Sequence, residues 1–319
     1  MVDILNLFDS KQVLIIGDAM IDSYMWGNVE RMSPEAPVPI VNITKIESRL
    51  GGAANVALNI KSLGAEPILF STIGDDQNGD LFLNLMKKEN INCEGIQRIK
   101  NRGTTIKTRI ISENKHLLRV DEEETYDLND DIIIEKLENI ILNHPIDVII
   151  FQDYNKGLLY RKLIEKGIDA SKKMGIPTIV DPKKQNFFAY KGVTIFKPNL
   201  KEIKEGLNVD FEPNSEAELS KYVQLLRDKI KAKNILLTLS ENGMYIQNSQ
   251  KKIHQKAHKR NIVDVSGAGD TVVSIAALSL ACNLKNEVLV KIANLAGGLV
   301  CEKVGVVPIQ KQDLLKASI

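Results

Sequence analysis

The stretch DVIIFQD, Asp147–Asp153, decides the fold class of this 319-residue chain. It is short, aliphatic and β-branched and it ends in polar residues, as a strand buried on both faces of a parallel sheet does. The same character recurs in VLIIGD (Val13–Asp18), PILFSTIGDD (Pro67–Asp76), PTIVDP (Pro177–Pro182), VTIFKPN (Val193–Asn199) and NILLTLS (Asn234–Ser240). Helix-like segments that end at glycine lie between these runs, for example Ala53–Leu63 before Gly64 and Tyr160–Met174 before Gly175. This alternation predicts an α/β fold with a doubly wound, mostly parallel sheet.

Two segments break the alternation, Met20–Leu50 and Thr104–Asp121. Both have the pattern of extended antiparallel strands, and the second is predicted to turn at about Ser112–Lys115. We interpret them as a small separate sheet that forms a lid over the main one. The alternative is that both are edge excursions of the main sheet.

Composition and charge exclude several classes of protein. The net charge is +1, with 44% apolar and 26% charged residues, so no strong field draws the chain to nucleic acid or membrane. The three cysteines are far apart and odd in number, which excludes a disulfide framework and a CxxC metal site and suits a reducing cytoplasm. The first residues lack the basic start of a signal peptide, and no apolar run approaches the roughly 18 residues that span a bilayer. We therefore expect a soluble, cytoplasmic protein.

Polar residues collect where the predicted strands end. They are Asp18, Asp75, Asp76, Asp153, Asp181, Asn199, Thr238 and Ser240. One such residue could simply cap the next helix, but ligands of parallel α/β sheets bind at the carboxyl ends of the strands. The series therefore predicts a cleft along this edge.

The stretch DVSGAGDT, Asp264–Thr271, predicts an anion site beside a general base. The glycines around Ala268 precede an apolar run of helical length, so they lie at a helix N-terminus, where free N–H groups and the helix dipole attract negative charge. Glycine lets the backbone approach an anion closely. Gly267, Ala268 and Gly269 would stabilise a transferred phosphoryl group, and Asp270 would take a proton from an attacking hydroxyl. The alternative is that Asp270 only caps the helix.

Other phosphate and metal motifs are missing from the sequence. It contains no GxxxxGK[ST], and the first strand is followed by GDAMID instead of GxGxxG, which argues against P-loop enzymes and dinucleotide-binding dehydrogenases. The four histidines form no HExxH and do not pair with cysteine. His254 and His258 have helical spacing, but they belong to a Lys-rich stretch that is more typical of a solvated loop or strand.

Two signature stretches, GGAANVA (Gly51–Ala57) and DVSGAGDTV (Asp264–Val272), resemble those of the ribokinase-like (PfkB) carbohydrate kinases. The resemblance covers essentially the whole chain and implies an ATP-dependent sugar kinase with a three-layer α/β/α domain and a β lid. Further stretches are similar to the D-glycero-β-D-manno-heptose 7-phosphate kinases of ADP-heptose synthesis: GDAMIDSYMWG, RMSPEAPVPIV, TIKTR, DYNKG, VDPK and PNLKE. In bifunctional members a nucleotidyltransferase domain follows. The 319 residues contain no HxGH-like motif of such a domain, so the resemblance implies one kinase domain over 1–319, as a stand-alone enzyme or cut at the domain boundary.

The resemblance also implies roles for individual residues. Asp270 would be the base and Gly267–Gly269 the anion hole. The sugar would be bound by Asp18, Gly51, Gly52 and Asn55. The nucleotide would be bordered by Asn199, Thr238, Ser240, Gly243, Asn294 and Gly297. Asn199 and Glu202 would organise Mg²⁺ through water, because Mg²⁺ keeps most of its waters, and Asp264 with Ser266 would help to hold a monovalent cation such as K⁺.

Basic residues suggest that the sugar already carries a phosphate. Lys107 and Arg109 are two apart on a predicted strand, so they share one face. Lys156 and Lys183 each follow a strand end and could add charge. If Lys107 and Arg109 face water instead, they are ordinary solvated residues of a strand.

Two other functions remain open at this stage. One is a kinase of the same fold that acts on ribose, fructose 1-phosphate or a nucleoside. The other is a sugar-responsive regulator that binds without catalysis. We also expect the protein to be a homodimer that pairs through the lid strands, because exposed strand edges invite pairing.

Overall fold

The computed structural model describes residues 1–113, 115–213 and 215–317. Its helices are α1 (Val2–Asn6), α2 (Ala53–Ser62), α3 (Gln77–Lys88), α4 (Asp131–Asn143), α5 (Arg161–Lys173), α6 (Leu200–Leu207), α7 (Glu216–Ile230), α8 (Ala268–Ala281), α9 (Asn286–Val300) and α10 (Lys311–Ala317). Its strands are β1 (Gln12–Gly17), β2 (Ala19–Met32), β3 (Pro39–Gly52), β4 (Glu66–Gly74), β5 (Ile96–Ile99), β6 (Ile106–Ser112), β7 (Lys115–Glu122), β8 (Val148–Gln152), β9 (Thr178–Asp181), β10 (Ile195–Phe196), β11 (Asn234–Thr238), β12 (Met244–Gln247) and β13 (Lys252–Gln255).

The main sheet confirms the predicted α/β class. Its order within the described residues is β13-β12-β11-β10-β9-β8-β1-β4-β5, and only β12 and β13 run antiparallel to their neighbours. The six strand runs identified in the sequence correspond to six adjacent parallel strands of this sheet: β11, β10, β9, β8, β1 and β4. Strands β5, β12 and β13 were not predicted, because each has only four residues, too few for a clear apolar pattern.

The strand order reverses between β1 and β8, and this reversal positions the site. From β1 the chain continues to β4 and β5 on one side, and from β8 it continues to β9, β10 and β11 on the other. Crevices of doubly wound sheets open at such a switch point, outside the carboxyl ends of the strands. Asp18 directly follows β1 and Asp153 directly follows β8, so both lie at this point.

Helices cover both faces of the sheet, which gives the three layers. Alternate residues of β1 point to opposite faces: Val13 and Ile15 belong to one buried cluster, with residues of α2, α8 and α9, and Leu14 and Ile16 belong to the other, with residues of α4, α5 and α7. The alternation explains why the strand is apolar at every position. Hydrophobic burial on both faces holds the switch point rigidly in the centre of the molecule.

The two irregular segments form the lid that was predicted. Within the described residues the lid is a separate four-stranded sheet of order β3-β2-β6-β7. Strands β6 and β7 are a hairpin that turns after Ser112, as expected, although Asn114 in that turn lies outside the described residues. One lid face carries Asp22, Tyr24 and Arg109, and Tyr24 is buried against the core. No helix among the described residues has both the length and the apolar character needed to cross a bilayer.

Candidate active site

The N-terminus of α8 is the predicted anion site. Gly267 precedes the helix with φ +80°, a left-handed conformation that favours glycine, and a Cβ there would lie 3.1 Å from the Asn55 amide nitrogen. In the part of the chain that the structure describes, the N–H groups of Gly267, Gly269 and Asp270 have no hydrogen-bond partner. Ala268 differs from the expectation, because its N–H donates to the Val265 carbonyl at 3.3 Å. Three amides therefore remain for an anion.

Asp270 lies in the first turn of α8 and is only 6% exposed. Three neutral donors hold its carboxylate. Asn55 of α2 donates to Oδ2 at 2.7 Å, and the Tyr154 hydroxyl donates to Oδ1 at 2.6 Å. The Gln152 side-chain amide, at the end of β8, also donates to Oδ1, at 3.2 Å. The carboxylate is therefore fixed in orientation beside the free amides, as a general base must be.

Burial raises the pKa of Asp270 to about 6, although the hydrogen bonds from Tyr154 and Asn55 act in the opposite direction. The neighbouring Asp181 carboxylate raises this pKa further and the Lys197 ammonium lowers it. A carboxyl with this pKa is ionised at neutral pH but is a stronger base than an ordinary aspartate.

Asp18 organises a turn of the backbone. Its carboxylate accepts hydrogen bonds from the N–H groups of Tyr154 (2.9 Å), Lys156 (3.1 Å) and Leu158 (3.3 Å). Three of about four lone-pair sites are therefore in use, and one remains on Oδ1 for a sugar hydroxyl. Burial raises the pKa of Asp18, and the three N–H donors oppose that shift. Its role in sugar binding stays a prediction.

The same turn is fixed from its other side by Asp153. The Asp153 carboxylate accepts from the Asn155 N–H at 2.8 Å and from the Tyr190 hydroxyl at 2.7 Å. Burial raises the pKa of Asp153 to about 7, and the Asp18 carboxylate nearby raises it further. Arg102 donates to the Lys156 carbonyl, so side chains from three parts of the chain hold the turn.

A buried ion pair lies under the start of α8. Lys197, which follows β10 and is 3% exposed, contacts Asp181 Oδ2 at 3.0 Å. Gln152 connects this pair to the base, because its amide nitrogen also lies 3.4 Å from Asp181 Oδ2. Removing one partner would leave a buried charge unpaired, so the pair fixes these strand ends relative to one another.

The glycine pair predicted to bind sugar ends β3 and leads into α2. A Cβ at Gly51 would lie 2.1 Å from Asp22 Oδ2, and one at Gly52 would lie 2.5 Å from the Asp18 carbonyl oxygen. The close approach of the chain at this point requires both glycines. It also brings Asn55, three residues later, to Asp270.

The four predicted phosphate-binding cations all have acidic partners. Lys107 contacts Asp121 at 3.0 Å and Glu123 at 2.7 Å, and Lys156 contacts Glu123 at 2.7 Å. Arg109 pairs with Asp22, and Lys183 pairs with Glu202 at 2.6 Å. The structure thus brings Lys107 and Lys156 together on one carboxylate and separates the other two.

The predicted magnesium residues form a helix cap at the start of α6. The Asn199 side chain accepts from the Glu202 N–H, and the Glu202 carboxylate accepts from the Asn199 N–H, both at 2.8 Å. The described residues contain no cluster of three or more His, Cys, Asp or Glu suited to a metal ion. A single carboxylate reached through water, together with phosphate oxygens, is nevertheless what Mg²⁺ commonly uses, so Glu202 fits that role.

Residues predicted to border the nucleotide lie at the end of β11, in the turn that follows it, at the start of α6 and on α9. Thr238 pairs with Asn199 across a parallel bridge, and Ser240 begins a 3₁₀ turn that ends at Gly243. Asn294 donates to the Lys256 carbonyl at 2.9 Å. Gly297 lets α9 pack closely on α8, since a Cβ there would lie 2.9 Å from Val272. Contact with a nucleotide stays a prediction for all of them.

Asp264 and Ser266 organise the loop before α8. The Asp264 carboxylate accepts from the Ser266 N–H and from the Gly305 N–H, each at 2.9 Å. Burial acts to raise the pKa of Asp264, but these hydrogen bonds outweigh it and hold the pKa below its ordinary value. The predicted monovalent cation at this loop stays a prediction.

Sequence reasoning did not assign roles to Gln152, Tyr154 and Lys197, which contact Asp270 or its neighbour Asp181. Their signal was present but weak. Gln152 and Lys197 are polar residues at the ends of apolar strands, and Tyr154 follows Asp153 in the DYNKG stretch. Only the packing of α8 against β8 and β9 reveals that these side chains meet Asp270.

Comparison with known proteins identifies relatives of the chain. The family model described as pfkB family carbohydrate kinase matches residues 10–312. The bifunctional protein HldE of Desulfatibacillum aliphaticivorans is 37% identical over 97% of this chain and 63% of its own length. That of Campylobacter fetus subsp. fetus is 40% identical over 92% of this chain and 63% of its own length. The chain thus spans less than two thirds of these relatives.

Solved structures share the fold at lower identity. Phosphofructokinase-2 from Escherichia coli in complex with potassium has a TM-score of 0.80 and 22% identity, over 96% of this chain and 97% of its own. Ribokinase of Arabidopsis thaliana, complexed with ribose and ATP, has a TM-score of 0.74 and 17% identity, over 96% and 98%. These similarities confirm the ribokinase-like architecture with its lid.

Replacing Asp270 by Asn should stabilise the fold at neutral and alkaline pH. Burial raises the pKa of Asp270 from 3.8 to about 6, so ionisation of this carboxyl destabilises the folded state. The destabilisation begins as the pH rises past the pKa of the unfolded chain and reaches its full value above about pH 6. The variant should therefore gain about 2–3 kcal/mol in free energy of unfolding at about pH 8, and the gain should vanish near pH 3.5. Urea unfolding at several pH values measures this difference.

The exposed Asp210 is the control, because its pKa is shifted in the opposite direction to that of Asp270. A hydrogen bond from Lys204 holds its pKa below the ordinary value, so Asp210→Asn should gain nothing as the pH rises. If Asp270→Asn is no more stable than the wild type at about pH 8, the carboxyl is not held in the costly ionised state inferred above.

Proposed function

The chain belongs to the pfkB family of carbohydrate kinases, and from this premise we propose that it transfers the γ-phosphoryl group of ATP to D-glycero-β-D-manno-heptose 7-phosphate. The product would be the 1,7-bisphosphate, a precursor in ADP-heptose and lipopolysaccharide core synthesis. The observation that carries the catalytic part is the position of Asp270, a buried base beside the unpartnered amides of α8. The relatives that support this substrate are bifunctional proteins, so we propose only the kinase reaction for this chain.

The geometry supports a direct transfer. Asp270 accepts the proton of the attacking hydroxyl while the oxygen of that hydroxyl forms a bond to the γ-phosphorus and the bond from phosphorus to ADP breaks. The N–H groups of Gly267, Gly269 and Asp270 stabilise the negative charge on the transferred group, because they are preorganised and need not be freed from other partners. Positioning and charge stabilisation account for most catalysis of phosphoryl transfer.

ATP supplies the phosphoryl group, and Mg²⁺ would be held through water by Glu202 near the phosphates. Lys183 lies near this side of the crevice, since its ammonium is 5.9 Å from the Tyr154 ring and contacts Glu202. The Lys183 charge therefore fits the transferred phosphoryl group better than the phosphate already on the sugar. Use of ATP also agrees with the cytoplasmic location expected from the cysteines.

Lys107 and Lys156 are our proposed site for the phosphate of the substrate. Both ammonium groups contact Glu123, which ties the lid to the turn that binds Asp18. A phosphate that displaced this carboxylate would gain two cations already held close together, and charge-assisted hydrogen bonds of this kind are strong. The sugar would then extend from Lys107 and Lys156 past Asp18 to Asp270.

A panel of acceptors with ATP and Mg²⁺ tests the proposed function. Heptose 7-phosphate should react at least about 100-fold faster, as kcat/KM, than the unphosphorylated heptose, because only the phosphorylated sugar can make charge-assisted contacts with both cations. Phosphorus NMR gives the position of the new phosphate. Asp270→Asn, which lacks the base, should lose most turnover while it still binds ATP. Faster reaction with ribose, fructose 1-phosphate or a nucleoside would assign the chain to another substrate. Failure to release ADP with every acceptor would favour the regulator. Running the panel in K⁺ and in Na⁺ tests the cation expected at Asp264 and Ser266.

Lys107→Ala and Lys156→Ala should each raise KM for heptose 7-phosphate roughly 10- to 100-fold and change kcat little. Each removes one charge-assisted contact to a group that does not react. Steady-state kinetics of the two variants measure this split. Lys162→Ala is the matched control, because Lys162 is exposed and pairs with Asp131 on α4. An unchanged KM in both site variants would place the phosphate elsewhere.

We also propose that the chain is a homodimer through the lid. The lid face opposite Tyr24 carries a row of apolar side chains across the sheet: Ile46 (60% exposed), Met25, Ile110 and Leu118 (57% exposed), with Val120 beside it (43% exposed). Contiguous exposed apolar patches of this kind commonly mark interfaces. The face is self-complementary in chemistry, which a twofold dimer requires.

Leu118→Asp should convert the dimer into a monomer, because it places a charge in the centre of the apolar row. Sedimentation velocity measures the mass of each species. Leu142→Asp, an equally exposed change on α4, is the control and should leave the dimer intact. A monomeric wild-type protein would contradict the proposed dimer.

A further inference from the structure

The two oxygens of the Asp270 carboxylate are not equivalent. Within the described residues, Oδ1 accepts from Tyr154 (2.6 Å) and Gln152 (3.2 Å), whereas Oδ2 accepts only from Asn55 (2.7 Å). An ionised carboxylate offers about two lone-pair sites on each oxygen. Oδ1 is therefore saturated by protein donors, and one site remains on Oδ2.

Tyr154 has little freedom to withdraw its hydroxyl. Its N–H donates to Asp18, and its ring lies 5.9 Å from the Lys183 ammonium. The residue that follows, Asn155, adopts the left-handed conformation with φ +54° and donates its N–H to Asp153. The turn that carries Tyr154 is thus held on both sides, and the hydroxyl is delivered to Oδ1 by the backbone.

Charged or titratable groups that follow or end three neighbouring strands face Asp270. Tyr154 follows β8, Asp181 ends β9 and Lys197 follows β10, whereas α2 contributes only the neutral Asn55. Asp181 disfavours the ionised carboxylate and Lys197 favours it. Replacing the Tyr154 hydroxyl leaves both of these charges in place, so its own effect can be measured separately.

We propose that Tyr154 is a positioning residue for the general base: its hydroxyl occupies Oδ1 of Asp270 and so makes Oδ2 the oxygen that takes the proton of the substrate. The last step of this inference rests on the proposed kinase reaction. In that step the proton moves from the attacking hydroxyl to Oδ2 as the new oxygen–phosphorus bond forms and the bond to ADP breaks. Tyr154 donates its hydrogen bond throughout and exchanges no proton with the substrate.

Tyr154→Phe removes the hydroxyl and keeps the ring. A hydrogen bond to the ionised form lowers the pKa of a carboxyl, so its loss should raise the pKa of Asp270 by about one to two units. Infrared titration of the carboxyl band, as the difference between each protein and its Asp270→Asn counterpart, measures this pKa without substrate. The acid limb of kcat against pH should move up by the same amount, and kcat on the alkaline plateau should fall because the carboxylate can rotate.

A second substitution should shift the pKa of Asp270 in the other direction. Incorporating 3-fluorotyrosine at position 154 makes the hydroxyl a stronger donor at nearly constant size, so the pKa of Asp270 and the acid limb should move down. Tyr160→Phe is the matched control, because the hydroxyl of the buried Tyr160 makes a hydrogen bond away from Asp270, to the Asp130 carbonyl at 2.8 Å. It should shift neither quantity.

The measured pKa of Asp270 decides between a positioning role and a merely structural role for Tyr154. A titration that moves up in Tyr154→Phe and down with 3-fluorotyrosine supports the proposal. If the pKa of Asp270 is unchanged in Tyr154→Phe, or if kcat falls equally at every pH, the proposal is overturned. Tyr154 would then have a merely structural role. If the titration shifts as expected but the wild-type chain phosphorylates no sugar of the panel, the proposed function fails, and the proton-transfer step fails with it.

Discussion

Burying carboxylates at one edge of a parallel sheet is the constraint on which this site depends. Asp18, Asp153, Asp181 and Asp270 all lie near the strand ends around the switch point, and an unpaired charge there would cost several kcal/mol. Each is therefore supplied with donors: a turn of backbone for Asp18, a tyrosine for Asp153, a lysine for Asp181 and three neutral side chains for Asp270. The donors connect the aspartates to one another.

The turn Asp153–Leu158 is the centre of these connections. Its amides satisfy Asp18, its tyrosine reaches Asp270, and Lys156 contacts Glu123 of the segment that follows the lid. Contiguous hydrogen bonds and ion pairs thus connect the lid to Asp270. The lid is attached to the core at a second place, where the Tyr24 hydroxyl accepts from the Val306 N–H and Arg49 donates to the Val306 carbonyl.

Much of the architecture was predictable because it depends on local pattern. The six parallel strands, the glycine-terminated helices and the lid hairpin follow from runs and periods of a few residues, and all were recovered. The position of Asp270 beside glycine amides at a helix N-terminus was predictable for a similar reason, because Gly267, Ala268, Gly269 and Asp270 are consecutive in the sequence. Short strands such as β12 were missed because four residues carry too little pattern.

The sequence by itself determined the fold class, the cleft edge and the position of Asp270 at a helix N-terminus, since each is encoded within a single segment. Only the tertiary structure decided which partners the side chains take. Lys107 and Arg109 share a strand face, yet one pairs with Glu123 and the other with Asp22, and Tyr154 reaches an aspartate 116 positions away. Such contacts join segments that are far apart in the chain, and their geometry is fixed by how the helices pack on the sheet, which no local pattern records.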